Sequence, residues 1–99
     1  MTRLADIVTK VRSKNAGPFW LTIDVFCGSA EVFGRVCNDL SSGSVAKALG
    51  CSVDELKRFE VADLNVIKFS LPRPQVQGTI ADRDMHGASF ANLLAEIDI

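Results

Sequence analysis

The apolar residues of this chain switch between a helical and a strand period, and each switch marks an element. Leu4, Ile7, Val8 and Val11 recur at i, i+3, i+4 and i+7, the stripe of an amphipathic helix of roughly three turns. Thr2 stands at its N-cap position and Asp6 in its first turn, while Lys10, Arg12 and Lys14 gather at the end where cations suit the helix dipole. Asn15 or Gly17 can take the left-handed conformation that closes a helix, and Pro18 forbids its continuation. Phe19 to Cys27 then alternates, with Leu21, Ile23 and Val25 set against Thr22 and Asp24, which predicts a central strand.

Gly28-Ser29 breaks that strand. Ser29 opens a helix with Val32, Phe33, Val36, Cys37 and Leu40 on its apolar face. After the Ser41-Ser42-Gly43 turn, Ser44 to Leu49 forms a short helix that Gly50 closes. Ser52-Val53-Asp54-Glu55 has the capping-box spacing, and Leu56 to Val61 suits a strand, so one helical turn followed by a strand is expected. Ala62 to Asn65 reads as a hairpin-type turn. Val66 to Leu71 is a strand with Ile67, Phe69 and Leu71 on one face and Val66, Lys68 and Ser70 on the other, ended by Pro72-Arg73-Pro74. Residues 75–90 have no apolar period and carry Asp82, Arg83, Asp84 and His86; a loop this long in a small domain usually has a function or is disordered. Leu93, Ala95, Ile97 and Ile99 alternate with Glu96 and Asp98 and predict a C-terminal strand.

This order predicts an α+β, ferredoxin-like fold. Four strands form an antiparallel or mixed sheet with helices on one face and an extra helix at the N-terminus. The first and last strands lie centrally, and the long loop replaces or contains the second helix. With 99 residues the expectation is a single domain over 1–99.

Composition then narrows the function. Hydrophobic residues are 47% and charged residues 23%, with a net charge of −1. A general nucleic-acid binder needs a concentrated basic surface, so nucleic acid is not expected as a partner. No apolar run reaches the length of a membrane span, and the charged N-terminal pattern is not that of a signal peptide. Cys27, Cys37 and Cys51 are an odd number with no CxxC and a single His in the chain. They suit buried thiols in a reducing cytoplasm, with no metal set and no cofactor expected. Charge is uneven. Arg3, Lys10, Arg12 and Lys14 stand against Asp6 at one end, and Asp82, Asp84, Glu96 and Asp98 against Arg83 at the other, so the ends can attract each other or an oppositely charged partner.

Two constellations can carry chemistry. If residues 82–86 are extended, Asp82, Asp84 and His86 point to one side, a set able to hold a cation or orient a histidine base; a solvated loop gives the same residues. If the corner at Lys14-Asn15 and the end of the 66–71 strand share an edge, Lys14, Asn15, Lys68 and Arg73 form a cradle for a carboxylate or phosphate. The alternative is that Lys68 snorkels and Arg73 pairs with a surface acid. No nucleophile elbow, phosphate-binding GxxxxGK[ST] or GxGxxG is present.

Three segments, Arg12 to Phe26 (RSKNAGPFWLTIDVF), Ile67 to Pro74 (IKFSLPRP) and Asp82 to Leu94 (beginning DRDMHGA), resemble in order and spacing a small uncharacterised bacterial and archaeal family. That family looks like the small partner of the acyclic terpene utilisation A-like proteins, beside or fused to the larger domain. The matching positions are Lys14, Asn15, Gly17, Pro18, Lys68, Pro72, Arg73, Asp82, Asp84, Gly87 and Ala88. Relatives tend to carry Gly, Tyr and Gln-His where this chain has Ala81, His86 and Ser89-Phe90-Ala91. The resemblance implies a ferredoxin-like fold and a larger partner linked to catabolism of acyl-CoA or organic acids. Three readings stay open: an accessory subunit lending Lys14, Asn15, Lys68 and Arg73 to a shared anion site; a stand-alone homo-oligomeric isomerase or lyase using Asp82, Asp84 and His86; and a scaffold whose motif residues only fix turns.

Overall fold

The computed structural model describes residues 2–17, 19–72 and 90–99. The elements run α1 (Leu4–Ile7), β1 (Lys10–Asn15), β2 (Trp20–Phe26), α2 (Ala30–Asp39), α3 (Ser42–Leu49), β3 (Lys57–Val61), a 3-10 turn (Ala62–Leu64), β4 (Val66–Pro72) and α4 (Phe90–Ala95). The strands form one antiparallel sheet in the order β1-β2-β4-β3. The protein is α+β, and the sheet is compatible with a ferredoxin-like arrangement.

The core grows from the alternation of β2 and β4. Leu21 pairs with Leu71, Ile23 with Phe69 and Val25 with Ile67, and all six are fully buried on the inner face. Val36 of α2, Leu40 just beyond it, Val45 and Leu49 of α3 and Leu94 of α4 close over them in the same cluster. Each such side chain contributes about 1.5–3 kcal/mol by leaving water. Side-chain caps fix the two middle helices, because Ser29 Oγ accepts from Val32 N at 3.2 Å and Ser41 Oγ from Ser44 N at 3.1 Å. Gly50, at φ 74°, ends α3 in the left-handed conformation. The half-turn at Ser52 forms as the capping-box spacing predicts: Ser52 N donates to the Glu55 carboxylate at 3.3 Å, and β3 follows.

Two expected elements take a different form. The N-terminal helix is a single turn, and the segment expected to be its last turns is the edge strand β1. Leu4 and Val8 do reach the core, so the helical apolar spacing was real. From Lys10 on, however, the side chains alternate in exposure, and pairing with β2 along its whole length from Lys10↔Phe26 to Asn15↔Leu21 overrides the helical pattern. At the other end, residues 93–99 are not a strand. Phe90–Ala95 is helical, with Ala91 and Leu94 buried three residues apart, and only Asp98 makes an isolated bridge, to Arg3. The place beside β2 that a C-terminal strand would fill is held by β1.

These corrections belong together. β2, the helices α2 and α3, and β3 make a split crossover with β4 inserted between the two parallel strands, as in a ferredoxin-like unit. The strand flanking β2, which comes last in the usual order, here comes first in the chain. Of the strands expected from the sequence, the first does lie centrally, but its central companion is β4. The oppositely charged ends meet as anticipated. Arg3 Nη1 donates to both Glu96 oxygens at 3.2 Å, Leu4 N donates to Ile97 O at 2.8 Å, and Ile99 N to Thr2 O at 2.8 Å.

Candidate functional site: an open cationic sheet face

β1 and β2 pair as an antiparallel hairpin, from Asn15↔Leu21 outward. Ala16 N donates to Trp20 O at 2.9 Å, and Gly17, at φ 81°, supplies the left-handed residue the turn requires. Strand alternation then gives the three polar residues of the motif separate roles. Ser13 lies on the inner side, where its Oγ accepts from Ala91 N at 2.9 Å and ties the first turn of α4 to β1. Lys14 is exposed on the outer face, and Asn15 returns to the inner side.

The outer face of the sheet is where described cations gather. In one row across the strands, Arg12 lies opposite Asp24, Asp24 opposite Lys68, and Lys68 opposite Phe59. In the next row, Lys14 lies opposite Thr22, Thr22 opposite Ser70, and Ser70 opposite Lys57. Facing residues of an antiparallel pair have Cα atoms about 5 Å apart, so Lys14 and Lys57 stand roughly 15 Å apart across the sheet. Lys57 Nζ is held 5.6 Å from the Trp20 ring centre and Lys10 Nζ 5.6 Å from that of Phe26. Among the described residues, neither Lys14 nor Lys68 is within ion-pair distance of a carboxylate. Asp24, between Arg12 and Lys68, is the one described carboxylate in these two rows.

A shallow open depression of about 220 Å³, lined by Arg12, Ser13, Lys14, Asp24 and Phe26, lies over β1 and β2. Ligand pockets that engulf a small molecule start at about 300 Å³, so this one fits a headgroup and leaves the rest of a ligand on the surface. Trp20 is 41% exposed and Phe59 50% exposed on the same face. One polar group here is anomalous. Thr22 is only 9% exposed, and its Oγ1 is buried without a hydrogen-bond partner.

The structure thus brings Lys14 and Lys68 to one face and separates Asn15 from them. Arg73, Asp82, Asp84 and His86 lie outside the described residues, as does the loop that carries them. Arg12, Thr22, Lys57 and Ser70 join the face without having been singled out in the sequence. The alternation of cations at 10, 12 and 14 was the available signal, because it has the period of a strand.

The inner side offers no comparable chemistry. Burial pushes the Cys27 thiol up to about 11. Burial, with the Glu60 carboxylate adding to it, raises Cys37, and burial followed by Glu55 raises Cys51. All three are held as thiols at neutral pH rather than as poised nucleophiles. Among the described residues no group of three His, Cys, Asp or Glu comes together to hold a metal, and no helix is long and apolar enough to cross a membrane.

A four-stranded antiparallel sheet, helices on one side and a cationic face on the other define a small α+β sheet protein. Residues 4–98 match the family described as Domain of unknown function (DUF4387), and the chain belongs to that family. Neither the curated proteins nor the solved structures contain a match to it.

Proposed function

We propose that this protein is a small accessory subunit of a catabolic enzyme complex, in which its open sheet face binds the anionic part of an acyl-CoA or organic-acid substrate. The larger subunit, on this reading, is of the acyclic terpene utilisation A-like kind, which the motif segments suggest. The observation that carries the reading is the meeting of Lys14 and Lys68, from distant parts of the chain, on one face with Arg12 and Lys57 and a single opposing carboxylate, Asp24. Lys14 and Lys68, which among the described residues have no carboxylate within ion-pair distance, lose no such partner when an anion arrives, and Lys contributes as a point charge to phosphate or carboxylate. Asn15 is not part of this face.

The test is calorimetric titration of the chain with coenzyme A and with succinate. Saturable binding is expected, weakened about a hundredfold or more in Lys14→Ala/Lys68→Ala, since each charge-assisted hydrogen bond contributes about 1.5–3 kcal/mol and about 1.4 kcal/mol is a factor of ten. Equal affinity in the double variant, with its melting temperature unchanged, would remove the anion-binding reading. Co-purification of the tagged chain with an acyclic terpene utilisation A-like protein, identified by mass, tests the subunit part; recovery with itself alone would count against it.

A further inference from the structure

We infer that the open depression over β1 and β2 receives an α-amino acid with a small apolar side chain, its carboxylate at Arg12 and Lys14, its ammonium at Asp24 and its side chain against Phe26. This rests on the anion-binding reading above and narrows its organic acid to one that also carries an ammonium.

The starting point is a carboxylate that a plain anion site would do better without. Asp24 stands among the cations of the outer face, where it repels any anion they attract. Its direct register partners are Arg12 and Lys68, and opposite charges facing each other across strands attract, so neutralising them would be reason enough for it. Among the described residues, however, neither cation comes within ion-pair distance of the Asp24 carboxylate. Arg12, exposed, and Asp24, half-buried, instead stand apart and line the same depression. The depression is open, so a ligand reaches both from solvent. Attraction between them is weak at such an exposed place, so a ligand that comes between them displaces little.

A ligand that satisfies both residues carries both charges, and the rows of the sheet say how it lies. Lys14 stands at one end, Arg12 and Asp24 share the next row, and Phe26 stands in the row beyond. Outward side chains on one strand are about 7 Å apart, so the cations gather toward one end and the ring lies at the other, with the carboxylate between. An α-amino acid presents its groups in that order: carboxylate, ammonium, side chain. The Arg12 fork suits the carboxylate and Lys14 adds a point charge. Asp24 accepts from the ammonium, and the Phe26 ring offers the apolar side chain a surface to cover. The depression of about 220 Å³ has the volume of about seven waters. A small amino acid is of that size, and a nucleotide is not.

The experiment is a heteronuclear NMR titration of the full chain with three probes: L-valine, isovalerate, which lacks the ammonium, and isobutylamine, which lacks the carboxylate. The expected result is saturable shift change at Arg12, Lys14, Asp24 and Phe26, with valine binding about tenfold more tightly than either fragment, the worth of one hydrogen bond to a charged group. Asp24→Asn is expected to bind valine about tenfold more weakly and isovalerate no more weakly, at an unchanged melting temperature. Arg12→Gln weakens valine and isovalerate alike. A wild type that binds isovalerate as tightly as valine overturns the inference and leaves the anion-binding reading standing. So does a folded Asp24→Asn that binds valine like the wild type. Valine without saturable change at the depression also overturns the inference, and the anion-binding reading then rests on coenzyme A and succinate alone. Should Asp24→Asn fail to fold, the three probes on the wild type decide.

Discussion

Arg58 shows how one side chain can hold several parts of a small fold. From the edge strand β3 it donates to the carbonyl oxygens of Leu40 at 2.5 Å and Cys37 at 3.1 Å, at the C-terminal end of α2. There the unpaired carbonyls and the helix dipole both favour a cation. The same guanidinium pairs with Glu60 at 2.9 Å and lies 5.7 Å from the Phe69 ring centre. Its side chain is 17% exposed, so these bonds are poorly replaced by water. Arg58→Ala is expected to destabilise the chain by about 2 kcal/mol in urea unfolding, as two charge-assisted bonds are lost together. Arg58→Lys should recover only part of this, since an ammonium cannot reproduce the planar fork. Arg3, by contrast, is half exposed in its contacts with Asp6 and Glu96, and pairs of that kind contribute little. Its bonds to the end of α2 were not legible in the sequence, because Leu40 and Cys37 lie 18 and 21 residues away in the chain.

Among the elements, those built from local signals were the legible ones. Ser29 and Ser41 as helix starts, Gly50 as a stop and the alternation of β4 all act within a few residues. The two misread segments lie at the ends, where local and non-local signals disagree. Lys10, Arg12 and Lys14 satisfy the rule for a helix C-terminus and the rule for a strand face at once, and only the pairing with β2 decides between them. Residues 93–99 alternate like a strand, but Phe90, Ala91 and Leu94 also fall on one helical side against the core. The junction after β2 provides the element-scale test. Gly28 has φ +87°, and an added Cβ there would meet the Thr9 hydroxyl, on a backbone held where Thr9 N donates to Phe26 O at 2.8 Å. Gly28→Ala is therefore expected to cost about 2 kcal/mol or more, from left-handed backbone strain plus the clash. An alanine variant as stable as the parent would show that this junction can relax.

At the scale of the whole molecule, the fold separates packing from function by face. The helices and every fully buried side chain of β2 and β4 serve the inner side, and among the described residues no helix packs on the outer side of β1, β2 and β4, which carries the charge. Moving the strand beside β2 to the front of the chain is what brings Lys14 and Arg12 into register with Thr22, Asp24 and, beyond them, Lys68. That is why Lys14 and Lys68 could be named from sequence, while the rows containing Thr22, Ser70 and Lys57 could not: their register is set by which strands pair, and no local pattern encodes it. The same alternation explains why Asn15, adjacent to Lys14 in sequence, faces the other way.

The most direct measurement of the central claim, that the open face is the anion site, is a heteronuclear NMR titration of the isotope-labelled chain with coenzyme A. The account predicts saturable shift changes concentrated at Arg12, Lys14, Thr22, Asp24, Lys68 and Ser70, with α2 and α3 nearly unaffected. Saturable changes confined to the helices, or none along β1, β2 and β4, would contradict it.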